Sequence, residues 1–222
     1  MKFYQKLDGG VHVSAREYDI AYNTAISQGQ LVKLSESKVI SAVAAETGAL
    51  LGVAAENHSG TADALDPRAN GTKILVIDDP NAIYQCKAPQ VTAASGSSTT
   101  LVFTAGQYFA ADDFNGGYVK LVSKVTDSTN TDKIGQVRKI TDYAVTASTS
   151  GTFTLESGGT PNAGDVYEVF PPVGFAKGNL DSAKSGLVLS ASASLPLRVI
   201  GNDIGADKIN VQIKKHALAV DA

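Results

Sequence analysis

Tryptophan is absent from this 222-residue chain, cysteine and methionine occur once each, and there are three histidines. A lone Cys86 excludes an internal disulfide framework and any cysteine-built zinc cluster. It stands in AIYQCKA (82–88), where alternation places it on a buried face as a small packed residue rather than a reactive thiol. With no tryptophan, and eight tyrosines dispersed along the chain, no aromatic strip is available for sugars to stack on. Tyr118, Tyr143 and Tyr167 fall on strand patterns and are expected half-buried, hydroxyls outward.

Charge is sparse too. The 19 basic and 22 acidic residues are scattered, so no Lys/Arg stripe exists to neutralise phosphates, and nucleic acid is not an expected partner. No segment approaches the ~18 apolar residues of a membrane span. MKFYQKLDGG lacks the apolar core of a signal peptide. The expectation is a soluble chain made in the cytoplasm, with no membrane partner.

What the sequence has instead is period-two patterning. GQLVKL (29–34), KVISAVA (38–44), LLGVAAE (50–56), KILVID (73–78) and AIYQCKA (82–88) are short Val/Ile-rich runs punctuated by Gly, Ser, Asp or Pro, as strands are. DDPNA (78–82), with Pro80 fixing φ and Asp79 able to accept from the turn backbone, predicts a hairpin between the last two. APQVTAASGSSTT (88–100) is small, polar and proline-led, which predicts a connection. A second strand set follows: TLVFT (100–104), GYVKLVS (117–123), IGQVRKITDYA (134–144), GTFTLES (151–157) and DVYEVF (165–170), closed by PPVG (171–174). Then come GLVLSASA (186–193), LPLRVIG (195–201) and KINVQIKKHALAV (208–220). In the last, Ile209, Val211 and Ile213 alternate with Asn210, Gln212 and Lys214, the pattern of one face on a core and one in water. Only SAREYDIAYNTA (14–25) and NLDSAKSG (179–186) invite a helical reading, of one or two turns each.

The expected fold class is all-β. A terminal strand with unpaired edges is a liability unless it completes an earlier sheet. Residues 1–88 and 172–222 are therefore expected to form one β-barrel or sandwich domain, with residues 89–171 a second β-module inserted in it. Loop-closure entropy grows slowly with length, so such an insertion costs little. Two tandem domains would leave the last ~50 residues with too few strands for a core.

ADDFNGGYVKLVS (111–123) is the stretch closest to a chemical motif. A calcium loop needs oxygen ligands at alternate positions and a distant bidentate carboxylate. Here Phe114 interrupts Asp112, Asp113 and Asn115, and no glutamate follows at the required spacing. A glycine-assisted turn before a strand accounts for the residues more simply. Of the histidines, His12 and His216 lie in alternating segments and are expected to face solvent or an interface, while His58 lies in a loop. No G-x-S-x-G, H-E-x-x-H, P-loop or G-x-G-x-x-G pattern occurs. No catalytic residue, metal ligand or cofactor is assigned, and an enzyme is not expected. The sequons NHS (57–59) and NGT (70–72) are what Asn-, Ser- and Gly-rich loops produce by chance.

Two stretches carry a resemblance. QGQLVKLSESKVISAVAAETGALLGVAAENHSG (28–60) is similar to the opening β-module of the decoration, or cement, proteins of tailed-bacteriophage capsids, where a Gly-led strand, a variable hairpin and a GVA strand recur. DDFNGGYVKLV, GQVRKITDYAVTASTSGTFTLE and AGDVYEVFPP resemble a β-module of virion structural proteins in which a G-x-x-R-x-I strand packs with a G-D-x-Y-x-V strand. The resemblance implies a virion structural protein on the outer capsid surface. It also implies the major capsid protein as partner, a homo-oligomer (a trimer would suit threefold positions) and no catalytic residues. The alternative is a head-fibre or tail-associated protein that binds a host receptor or glycan; a bacterial surface-layer or adhesin fragment is a weaker third. The segment KLDGGVHVSAREYDIAYNTA (6–25) is expected to be an arm that orders on the shell, with His12, Arg16, Tyr18 and Tyr22 as interface residues. The competing expectation makes 11–20 simply the first barrel strand.

Overall fold

A computed structural model describes residues 1–6, 15–21, 23–43, 46–60, 73–104, 112–147, 150–176, 178–180, 187–189 and 196–218. The protein is all-β, and no helix occurs among the described residues. The strands are β1 (Lys2–Lys6), β2 (Ala15–Asp19), β3 (Leu31–Ser35), β4 (Lys38–Ser41), β5 (Gly52–Ala54), β6 (Lys73–Ile77), β7 (Ala82–Lys87), β8 (Gln90–Ser97) and β9 (Thr100–Thr104). They continue with β10 (Tyr118–Ser123), β11 (Val137–Ala147), β12 (Ser150–Leu155), β13 (Val166–Phe170), β14 (Gly178–Leu180), β15 (Leu187–Leu189), β16 (Leu197–Asp203) and β17 (Lys208–Ile213).

Strands β8 to β13 close a six-stranded barrel in the order β10-β11-β12-β9-β8-β13. Alternation fills its interior: Leu101 and Phe103, Val119 and Leu121, and Phe153 and Leu155 point inward and are buried. Tyr143 and Tyr167 are buried as well, not half-exposed as their strand positions suggest, because the barrel interior is wide enough for whole rings. Burial pushes both hydroxyls up to about 12.

The remaining strands make two sheets. One runs β1-β7-β17-β16-β14-β15 and places β1 and β17 on either side of β7. Ile209, Val211 and Ile213 of β17 face its core. The other side of β17 is less wet than alternation implies: Gln212 is buried, its Oε1 accepting from Arg198 Nε at 2.8 Å and its Nε2 donating to Pro80 O at 2.9 Å. The second sheet runs β2-β6-β5-β3-β4 and curls until its edges meet, where Ile20 bridges Val39 and the Ala21 N–H donates to Val39 O at 3.0 Å.

At Leu31–Val32 and Leu50–Ala54 this curled sheet is buried on both faces, which explains the unbroken apolar runs LV and LLGVA. Val32, Leu51, Ala54 and Val76 fill its inside, whereas Leu31, Leu50 and Val53 join the main core. That main core continues through Tyr84 and Cys86 into the barrel and on to Val199 and Val211. Gly52 sits where two strands nearly touch; a Cβ there would lie 2.0 Å from Ile77 O.

Several elements depart from the sequence pattern. Residues 78–82 do turn, with Ala82 N–H donating to Asp79 O at 2.9 Å, but β6 and β7 do not form a hairpin. β6 pairs with β2 and β5, and β7 with β1 and β17, so the turn hands the chain from one sheet to another. Alternation reports which face a strand buries, not its neighbour. Residues 88–100 are no plain connection, since β8 is a full barrel strand flanked by β9 and β13. The helical expectation for 14–25 fails, since Ala15–Asp19 is a strand; of 179–186 only Asn179 and Leu180 are described, at the end of strand Gly178–Leu180, and the rest lies outside the described residues.

Candidate functional site

The acidic stretch resolves into a turn that carries a core anchor. From Asp112 to Gly116 the chain reverses, with the Asn115 N–H donating to Asp112 O at 3.0 Å and Asn115 Nδ2 to Asp112 Oδ1 at 2.8 Å. Gly116 has a φ of 84°, where a glycine avoids the Cβ penalty. Phe114, between the acids, is fully buried and contacts the rings of Tyr143, Phe153 and Phe175. The turn thus lowers a phenyl plug into the barrel while Asp112 and Asn115 bond to each other, although Asn115 Oδ1 is buried without a hydrogen-bond partner. Among the described residues, no three His, Cys, Asp or Glu side chains converge as metal ligands would.

A polar clasp at the barrel rim has no counterpart in the sequence analysis except in the two resemblance motifs. Arg138, the arginine of G-x-x-R-x-I, is buried, with Nε donating to Glu156 O at 2.8 Å and Nη1 to Gly159 O at 2.9 Å; Nη2 donates to Ser98 O. Its charge faces Asp132 Oδ2 at 3.5 Å. The acid and tyrosine of G-D-x-Y-x-V are Asp165 and Tyr167. Asp165 Oδ2 accepts from Ser128 Oγ and Asn130 Nδ2 at 3.0 Å, and Oδ1 from the Val125 N–H at 3.1 Å; Tyr167 Oη accepts from Asn130 Nδ2 at 2.8 Å. Burial alone would raise the Asp165 carboxyl, but donors from Asn130, the Asn162 and Val125 backbone and Ser128 together hold it below the usual range. The two motif strands, β11 and β13, are not paired with each other; β10 lies between them.

Of the proposed arm, Ala15–Asp19 is a strand paired into the fold, and residues 7–14 and 22 lie outside the described residues. Met1 is buried, and its ammonium donates to Gly29 O at 2.7 Å. β2 pairs along its whole length with β6, Arg16 opposite Val76 and Tyr18 opposite Ile74. Its exposure pattern shows no alternation, so backbone pairing alone marks it as a strand. Arg16 and Tyr18 project from the same side of β2 onto one buried carboxylate: the Tyr18 hydroxyl donates to Asp78 Oδ2, and Arg16 Nε lies 3.5 Å from that oxygen. Burial, then the bond to Asp78 and its charge, pushes the Tyr18 hydroxyl up to about 12. Arg16 remains 65% exposed and lines a shallow cleft of about 350 Å³ with Asp78, Asp79, Pro80 and Leu218. His12 and Tyr22 lie outside the described residues.

The other two histidines differ in their settings. His58 sits in a loop whose backbone bridges Ile26. His216 does not face solvent: it is buried beside Leu50, and its Nδ1 accepts from the Leu218 N–H at 3.1 Å. Burial lowers its pKa against the opposing pull of Asp78 and Asp79. No family model, no curated protein and no solved structure matches the chain.

Proposed function

We propose that this chain is a virion structural protein of a tailed bacteriophage, docked on the outer capsid surface, where it cements the head shell by bridging copies of the major capsid protein. The observation that supports this most directly is the clasp: the motif residues behind the resemblance, Arg138, Asp165 and Tyr167, are tied into the barrel rim and serve to stiffen it. Two further carboxylates are likewise bound into the scaffold, Asp112 by Asn115 and Asp78 by Tyr18. The work of such a molecule lies on its surface. Docking at each site needs about 1,200–2,000 Å² of total buried area, and a homo-oligomer such as a trimer gains further through effective concentration. The exposed Arg16 beside its cleft belongs to the surface assigned to that contact.

Copy number in purified particles tests the reading. A cement protein approaches stoichiometry with the major capsid protein on a stained gel. A scarce band would instead indicate a head-fibre or tail-associated protein that grips a receptor or glycan.

A further inference from the structure

The seam between the barrel and the six-stranded sheet holds an unusual group of charges. Lys120 on β10 reaches out of the barrel to the β16–β17 turn, where its ammonium donates to Ile204 O at 3.2 Å and to Asp207 Oδ1. Directly opposite Lys120 in the β10–β13 register stands Glu168. Glu168 is buried: Oε1 has only a long contact from Gln90 Nε2 at 3.5 Å on β8, and Oε2 has no hydrogen-bond partner. The Asp207 carboxylate faces it across the seam, and Lys208 is the further charge acting on Asp207. A buried, ionised carboxylate with an orphan oxygen, beside a second carboxylate that already holds the Lys120 ammonium, is costly.

We propose that Glu168 is a proton-dependent latch: protonated, its Oε2–H donates to the Asp207 carboxylate and ties the β16–β17 turn to the barrel, whereas ionised it repels Asp207 and slackens the seam. The electrostatics agree in direction. Burial first, then the Asp207 charge, raises the Glu168 carboxyl above its ordinary value of 4.5 against the opposing pull of Gln90 and Lys120, while the Lys120 ammonium lowers that of Asp207. For an acid raised in the folded state, the contribution is complete below its unfolded value and is lost as pH rises through the folded one. The latch therefore closes as pH falls toward the ordinary carboxylate range and opens as pH rises above the raised Glu168 value.

The backbone bond from the Ala88 N–H to Asp207 O, 3.2 Å, continues the β7–β17 ladder at the very residue the latch would hold, and so reports on how firmly the β16–β17 turn is fixed. The test combines carboxyl-carbon NMR titration of Glu168 with Ala88 amide protection factors in the full chain, from about pH 5 to 8. In the wild type, Glu168 should titrate above the ordinary glutamate range, and Ala88 protection should fall through the same interval. Glu168→Gln, which keeps a donor facing Asp207, should hold Ala88 protection flat. Its advantage over wild type should grow by up to about tenfold for each pH unit by which Glu168 is raised. Asp207→Asn gives a second arm, which should move Glu168 titration down toward the ordinary value. The latch is overturned if Glu168 titrates at or below that value, if Glu168→Gln loses protection with pH as the wild type does, or if Asp207→Asn leaves the Glu168 titration in place.

Discussion

The Phe114 ring meets that of Tyr143 edge-on, 5.0 Å between centroids and 68° between planes. Its neighbours Phe153 and Phe175 lie 5.1 and 5.0 Å away, so a residue in an acidic surface turn joins the barrel core to the chain that leaves the barrel. Phe114→Ala should destabilise the protein by about 3–5 kcal/mol, the cost of an aromatic-sized cavity. Asn115→Ala, which removes a local turn bond, should cost about 1 kcal/mol. Urea denaturation of both variants checks the contrast; similar losses would mean that the turn rather than the ring is what matters.

Arg138 should be hard to replace. Arg138→Met leaves the carbonyls of Glu156, Ser98 and buried Gly159 short of a donor and buried Asp132 without its counter-charge, a loss of roughly 3–5 kcal/mol. Arg138→Lys keeps the charge but not the planar fork and should fall between wild type and Met. Thermal melts rank the three, and a lysine variant equal to wild type would show that charge alone suffices.

Acid should open the rim. Asp165 has a depressed carboxyl in the folded state, and so does Glu46, where burial is outweighed by Lys33 and the Gly48 and Val43 N–H groups. A depressed acid stabilises above its unfolded value and loses that contribution as pH falls through the folded one. Stability should therefore drop below the ordinary carboxylate range. Asp165→Asn should be weaker than wild type at neutral pH and show a shallower acid loss, measured as melting temperature against pH.

Removing residues 1–27 should damage the fold and not merely docking. The truncation deletes β1 and β2, the buried Met1 and both groups that hold Asp78. Circular dichroism should show loss of the cooperative melt. A truncated chain that melts like the intact one would restore the arm reading.

Much of the fold is legible where one strand face is dry. β9 and β12 announce themselves through Leu101, Phe103, Phe153 and Leu155, and β17 through its three inward aliphatics. β8 does not, because only Ala93 among its eight residues is buried and the strand exists through backbone pairing on both sides. β2 escapes detection for the same reason. The false hairpin at 78–82 arose because local turn chemistry is independent of which strands the flanking segments join. The clasp was invisible residue by residue: Asn130, Arg138, Glu156 and Asp165 are ordinary surface types, and only barrel closure brings them together. Buried His216 likewise shows no sign in KKHALA, since its burial comes from Leu50, far away in the chain.

A cryo-electron map of the particle that carries this protein tests the central claim most directly. The account predicts density for the closed six-stranded barrel and its two companion sheets, repeated over the outer face of the head shell and touching neighbouring capsid subunits at every occupied position. A shell bare of that density, or density confined to the tail or a few fibres, would contradict it.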